Sequence, residues 1–438
     1  MTNRNKIQPF FYGFGEIGAA CVDIFLKVYL LVYFNHVLGL PATWASLAIG
    51  ASVLWDAIID PWIGIYSDYE FRVKGHRKRV LYVGAIAITT LFIILWRIHF
   101  ESQWLNLIFL FLISACLNSA ISLFSVPYYA LANDLEPDNE KRKSWIGWRL
   151  IFFNIGSLIG LAIPALYLTS TLQSNQQQPY LDSVNMLALI MVTTALLSVF
   201  LIYRNHQKGI PPCQEVTRNE TLKQLINDKT FVQIIAASFI VNCGLGLNSS
   251  LALYYYKLYL NFTEKQTQII LVSFLLIFTL SIPLWVLVTK YFNKRALIRT
   301  AILILGALTL IAFPRLEGVP FWMVFAIASG VGGVLIGVAV VLEIYFSDFL
   351  KVKEDKFKKS VSGQYLGLWK MASKISRAVA IALAGPIIDS SAGHPQILAN
   401  YFGGVVGFFF LFSGAILFFN PGNDDFDKQK ISTTKPIS

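Results

Sequence analysis

Charge is what this chain has least of for its length. Asp, Glu, Lys and Arg together make up 14% of its 438 residues, and 55% are hydrophobic. A soluble chain of this size needs a far more polar surface, so a water-soluble globular fold is excluded. Short segments of alternating polarity, the mark of a membrane β-barrel, are also missing. Cysteine is scarce. Cys21, Cys116, Cys213 and Cys243 have neither the spacing of a metal knot nor that of a disulfide framework, and they read as small fillers. The five histidines, His36, His76, His99, His206 and His394, fall at span ends or in loops, which argues against a metal site. No nucleophile–base pair stands out, so the chain is not read as an enzyme. The opening stretch MTNRNKIQPFFYGFGEIG has no short apolar core followed by a small-residue cleavage site. The first span is therefore expected to act as its own insertion signal.

What the chain does have is length of apolar run. Segments of 18 or more apolar residues recur throughout, each able to cross roughly 30 Å of hydrocarbon. Twelve spans are predicted, at 10–38, 43–67, 80–97, 105–132, 145–169, 182–203, 230–259, 266–289, 297–313, 321–346, 363–389 and 398–419. The fold class is an all-α polytopic membrane protein of twelve transmembrane helices in two six-helix halves. Residues 1–203 form the first half, 204–229 a cytoplasmic linker, 230–419 the second half and 420–438 a tail.

The formal charge of +11 is explained by topology. Lys and Arg crowd the loops near 72–79, 141–143, 204–229, 290–295 and 351–359, whereas the opposite loops hold Arg97, Lys265 and Arg315. Positive charge marks the cytoplasmic side, which puts both termini there, in an inner or plasma membrane. This sorting leaves no case for nucleic acid. Asn219 and Asn261 begin N-x-[ST] triplets, to which no weight is given.

Charges inside spans are costly and mark function. Asp56 and Asp60, in WDAIIDPWIG, sit one helical turn apart on one face. Two carboxylates so placed repel unless a hard cation or a shared proton lies between them; salt bridges to other helices are the plainer alternative. Pro61 removes a helix hydrogen bond beside them and is expected to loosen the backbone. Asp23 and Lys27, also four apart, either pair or serve substrate or gate. Glu16, near one end of span 1, is read as facing water. Lys370, Lys374 and Arg377 share one face of span 11, turned either to other polar groups or to an anionic substrate. Glu343 lies deep in span 10, and Asp68 opens the basic loop SDYEFRVKGHRKR.

Four stretches carry a resemblance: YGFGEIG, WDAIIDPWIG, VPYYALANDLEPDNEKRKSWIGWRLIFFNIGSLIG and GLWKMASKIS. Together they resemble the glycoside–pentoside–hexuronide:cation symporters, the melibiose permease family of the major facilitator superfamily, over nearly the whole chain. The resemblance implies a cation site at Asp56, Asp60 and Ser122, with Na+ or H+ as coupling ion and no cofactor or further metal. It implies a substrate site with Arg149, Lys374 and Tyr129 as an aromatic platform; Ser125, at the position of a family acid, and Lys370 and Asp23, by their charge and spacing, are added to it as candidates. Asp68, Arg377 and Glu343 are assigned to gating. Two acids that grip sugar hydroxyls in the family are replaced by Ala20 and Ser125, which puts a melibiose-like substrate in doubt. The expected function is symport of a sugar-like or small anionic solute by alternating access, in a monomer whose partners are substrate, cation and bilayer. A lysophospholipid or metallophore carrier is the alternative, and a sensor without transport the remote one.

Overall fold

The computed structural model of the chain describes residues 4–136, 139–167, 177–205, 228–357 and 362–418. Most of the expected linker, with His206, Cys213 and Asn219, and the whole tail lie outside the described residues. Among the described residues every regular element is a helix. In chain order they are α1 (Arg4–Phe14), α2 (Glu16–Val32), α3 (Ala42–Lys74), α4 (Lys78–Arg97), α5 (Gln103–Leu135), α6 (Asn139–Tyr167), α7 (Gln178–Asn205), α8 (Lys229–Tyr254), α9 (Glu264–Tyr291), α10 (Lys294–Ala312), α11 (Phe321–Phe357), α12 (Ser362–Ser390) and α13 (Pro395–Phe418). They make 12 stretches long and apolar enough to cross a membrane, α1 and α2 forming one together. The shortest, Lys78–Arg97, has 20 residues, about 30 Å of helix and so the thickness of the hydrocarbon core. The twelve spans read from the sequence are all present. Pro61 does not interrupt α3, which runs unbroken from Ala42 to Lys74.

Contacts divide the chain into two compact units. The first comprises Met1–Val216, Ser249–Leu275 and Ile381–Gly393, and the second Thr217–Asn248, Leu276–Ala380 and His394–Ser438. In the first unit α3 packs on α5, α2 on α6 and α7, and α4 on α5 and α7. Gly156 and Gly160, one turn apart on α6, face α2 so closely that a Cβ at either would run into its backbone at Ile17 or Cys21. Small residues permit this approach, which dispersion forces reward where no water is expelled. In the second unit α10 packs on α11 and α13. There Lys294 pairs with Asp348, and Arg299 donates to the Leu417 carbonyl.

Spans 1 and 7 end in the same backbone figure. Each closes with a π-helical turn, Tyr33–Val37 and Tyr255–Tyr259. Each then turns through a left-handed residue, Gly39 at φ 69° and Asn261 at φ 52°. The amides of Leu40 and Phe262 return to Phe34 and Tyr256 at 3.0 Å in both. Gly and Asn are the residues that bear positive φ most cheaply, and the shared cap needs no other likeness between the two sequences.

At the start of α3 the N-cap position is Pro41, which offers no capping side chain. Asp389, near the end of α12, supplies the cap from a distance. Its carboxylate accepts the amides of Ala42 at 3.0 Å and Thr43 at 2.8 Å. A carboxylate on exposed helix N–H groups is favoured both as acceptor and by the helix dipole. The same region holds a buried Lys257–Glu264 ion pair, Tyr29 bonded to Gln268 at 3.0 Å, and Tyr254 bonded to Asn35 at 3.2 Å. Asp389→Ala is expected to cost about 1–2 kcal/mol of stability, read as a lower detergent denaturation midpoint. An unchanged midpoint would mean that solvent caps α3 equally well.

Candidate functional site

The site begins with a break in span 1. Gly15 separates α1 from α2 and packs so tightly that a Cβ there would lie 2.5 Å from the Tyr128 hydroxyl and 2.7 Å from Ser198. Two side chains brace the chain at this break. Ser198 Oγ donates to the Phe11 carbonyl at 2.8 Å, and the Tyr128 hydroxyl donates to the Tyr12 carbonyl. The restart makes Glu16 the first residue of α2, where a carboxylate suits the helix dipole. Glu16 does not face water as its position near a span end suggested: it is 3% exposed. Tertiary packing of the Gly15 break, invisible to hydropathy, carries it inward.

A ladder of polar contacts sets the register of α3 on α5. Asn118 donates to Ser52 at 3.2 Å, Trp55 to Ser119 at 3.0 Å, and Ser122 to the Asp56 carboxylate at 2.7 Å. Asp60 lies one turn further along α3, and both aspartates are half-buried. Carboxylate and hydroxyl oxygens make a hard donor set, suited to Na+ or a proton and unsuited to a soft metal. Among the described residues no group of three or more His, Cys, Asp or Glu side chains gathers around a metal position.

The Ser122 face of α5 continues at helical spacing through Ser125 to Tyr129. From Ser122 to Tyr129 is about 10 Å along the axis. Tyr129 donates its hydroxyl proton to Glu16 Oε1 at 3.0 Å. The Arg149 guanidinium, on α6, lies over the same ring with its carbon 4.0 Å from the centroid. Arg149 Nε is buried without a hydrogen-bond partner. Ser125, Tyr129 and Arg149 are half-buried, with the Glu16 carboxylate behind them. The position of the missing family acid on span 1, Ala20, is 1% exposed and meets Gly156, so a small side chain there lets α2 sit close on α6.

Other residues singled out in the sequence lie elsewhere. Asp23 and Lys27 form an ion pair along α2. Asp68 accepts from Arg77 at 2.8 Å at the far end of α3. Lys370, Lys374 and Arg377 are carried on α12 in the second unit, where Lys370 is exposed and the other two are half-buried. Glu343, on α11, is exposed. Sequence reasoning missed two partners, Glu16 beneath Tyr129 and Asp134 on Arg77. Only their acidity inside or beside an apolar run marked them.

Comparison with known proteins agrees with this architecture. An uncharacterized symporter of Synechocystis is 27% identical over 221 residues, covering 49% of this chain and 40% of that protein. YagG of Escherichia coli, whose name refers to glycoside/cation symport, is 24% identical, covering 62% of this chain and 58% of its own. The sodium-dependent lysophosphatidylcholine symporter 1 of Xenopus tropicalis is 21% identical, covering 64% and 58%. The aligned stretch thus spans about half the length of these relatives. Among solved structures, a D-xylose-proton symporter superposes with TM-score 0.71 at 12% identity, over 94% of this chain and 97% of that one. A bacterial homologue of the human lysosomal transporter Spinster does so with TM-score 0.69 at 11% identity, over 96% and 100%. The family and these relatives are transporters rather than enzymes. A family profile described as MFS/sugar transport protein matches residues 11–418, and the chain belongs to that family.

Proposed function

We propose that this protein is a secondary active symporter that moves a sugar-like solute of the glycoside or hexuronide class together with Na+ or H+. Asp56, Asp60 and Ser122 hold the cation, and Tyr129 and Arg149, with Ser125 beside them, meet the solute. One observation carries the reading: a single face of α5 bears Ser122, bonded to Asp56, and Tyr129, stacked under Arg149. An ion that pulls on Ser122 therefore acts on the helix that presents Tyr129, which is a physical route for coupling. Coupling is reciprocal, so the solute raises cation affinity by the same factor. Alternating access by movement of the two halves carries both across. The loop charges support an inner or plasma membrane with both termini cytoplasmic.

Ligand-dependent thermal stability of the detergent-purified protein tests this. The panel holds neutral glycosides, glucuronides, carboxylates and lysophospholipids, each with and without sodium at two pH values. A ligand at 100 times its dissociation constant stabilises by about 2.7 kcal/mol. A shift with glycosides or glucuronides that grows with added sodium, or grows at the lower pH, supports the symporter. A shift with lysophospholipids alone overturns it in favour of lipid carriage, the substrate named for one relative. Arg149→Gln is expected to lower solute affinity at least tenfold while the effect of the cation by itself stays as in the wild type. Equal loss of both would make Arg149 a structural residue.

A further inference from the structure

Glu16 holds a carboxylate that neither the cation site nor the solute contacts just described require. It lies within an apolar span at 3% exposure, where an isolated charge costs at least about 2.5–3.5 kcal/mol on insertion scales. Such an acid needs a counter-charge. Arg149 is within electrostatic reach of it, and the two are joined through one ring, Tyr129 bonding Glu16 at its hydroxyl and carrying the Arg149 guanidinium on its face. Along α2 from Glu16, Asp23 and Lys27 close their own pair.

We infer that Glu16 sets the charge selectivity of the Tyr129–Arg149 surface, fitting it to an uncharged polyhydroxy solute and against an anionic one. The inference rests on the proposal that Tyr129 and Arg149 contact the solute. A neutral solute leaves the Glu16–Arg149 balance in place. An anionic solute competes with Glu16 for the guanidinium. To the extent that it succeeds, it leaves a carboxylate buried without compensation, and that penalty is charged against binding. Glu16 acts here through Arg149 and Tyr129 and is a positioning residue rather than a solute contact.

The test uses two ligands of one shape, p-nitrophenyl β-glucoside and p-nitrophenyl β-glucuronide, which differ in a neutral hydroxymethyl group against a carboxylate. Binding to the full-length purified protein is measured at saturating sodium. The wild type is expected to bind the glucoside more tightly. Glu16→Gln keeps the size and the acceptor for the Tyr129 hydroxyl and removes the charge. It is expected to shift the ratio of the two dissociation constants toward the glucuronide at least tenfold, with the sodium dependence unchanged. Glu16→Asp, which keeps the charge, is expected to hold the wild-type ratio. Parallel changes in both affinities, or none, in Glu16→Gln would overturn the inference and leave the symporter reading standing. A wild-type preference for the glucuronide overturns it without any variant, so the outcome does not depend on Glu16→Gln folding. If the wild type binds neither compound nor any other glycoside, the hydroxyl-solute reading itself falls, and this inference with it.

Discussion

Asp60→Asn is expected to remove most of the response to the coupling cation while leaving the protein folded. Asp56 and Asp60 are separated by one helical turn, about 6 Å along α3. With no cation between them the two carboxylates repel, and the amide relieves that repulsion at nearly constant volume. The variant should therefore stay folded in sodium-free buffer. What it loses is a full negative charge from a small oxygen site, and a hundredfold loss of cation affinity is expected. At a sodium concentration of 100 wild-type dissociation constants, stabilisation then drops from about 2.7 to about 0.4 kcal/mol. Cation-driven uptake of solute should fall to background, while solute binding without cation persists. For a proton-coupled carrier the same loss appears in the response to pH in place of sodium. Ser122→Ala removes the hydroxyl on Asp56 and keeps both charges, so its effect should be smaller, about tenfold. A full cation response in Asp60→Asn would remove this residue from the site.

Arg77→Gln is expected to cause the largest loss of stability. Arg77 is 5% exposed at the turn between α3 and α4. Its guanidinium bonds Asp134 at 2.8 Å, Asp68 at 2.8 Å and Ser67 at 2.5 Å, and its backbone amide donates to Tyr203 at 3.0 Å. The two carboxylates are unequal. The Asp68 side chain is 62% exposed, and an exposed pair contributes about 0–1 kcal/mol. The Asp134 side chain is 12% exposed, so removing its partner leaves a buried charge, and breaking such a pair costs about 3–5 kcal/mol. Burial pushes the Asp134 carboxyl above its ordinary range, and Arg77 pulls it part of the way back. Without Arg77 only burial remains. A carboxyl raised in the folded state destabilises at pH values above its folded pKa, and the penalty fades as the pH falls toward its unfolded value. The deficit of Arg77→Gln against the wild type should therefore be largest near neutrality and shrink in mild acid. Arg77→Gln with Asp134→Asn should recover much of the loss, because no uncompensated charge is left. Denaturation midpoints that match the wild type for Arg77→Gln, or a double variant worse than the single one, would refute this account.

Much of the architecture was legible because bilayer insertion is a local property of sequence. A run of apolar residues about 20 long crosses the hydrocarbon whatever its neighbours do, so all twelve spans could be read to within a few residues at most ends. The acids of WDAIIDPWIG were legible for the same reason, since a charge in such a run needs an explanation. Ser122, Ser125 and Tyr129 were marked by the family resemblance, and helix periodicity puts them on one face. One expectation about exposure did not survive: Glu16 is buried.

The remaining features depend on contacts between residues far apart in the chain, and no local pattern encodes those. At the Gly15 break Ser198 and Tyr128, from two other spans, donate to the Phe11 and Tyr12 carbonyls. That break turns Glu16 inward beneath Tyr129. Asp389 caps a helix that begins 347 residues earlier at Ala42, and Arg77 finds Asp134 across 57 residues. Each of these joins a polar group that burial would otherwise leave uncompensated to the partner that compensates it. Hydropathy and helical period decide where each span lies and which residues share a face. Which face meets which, and so which charges neutralise one another, is settled by packing between spans.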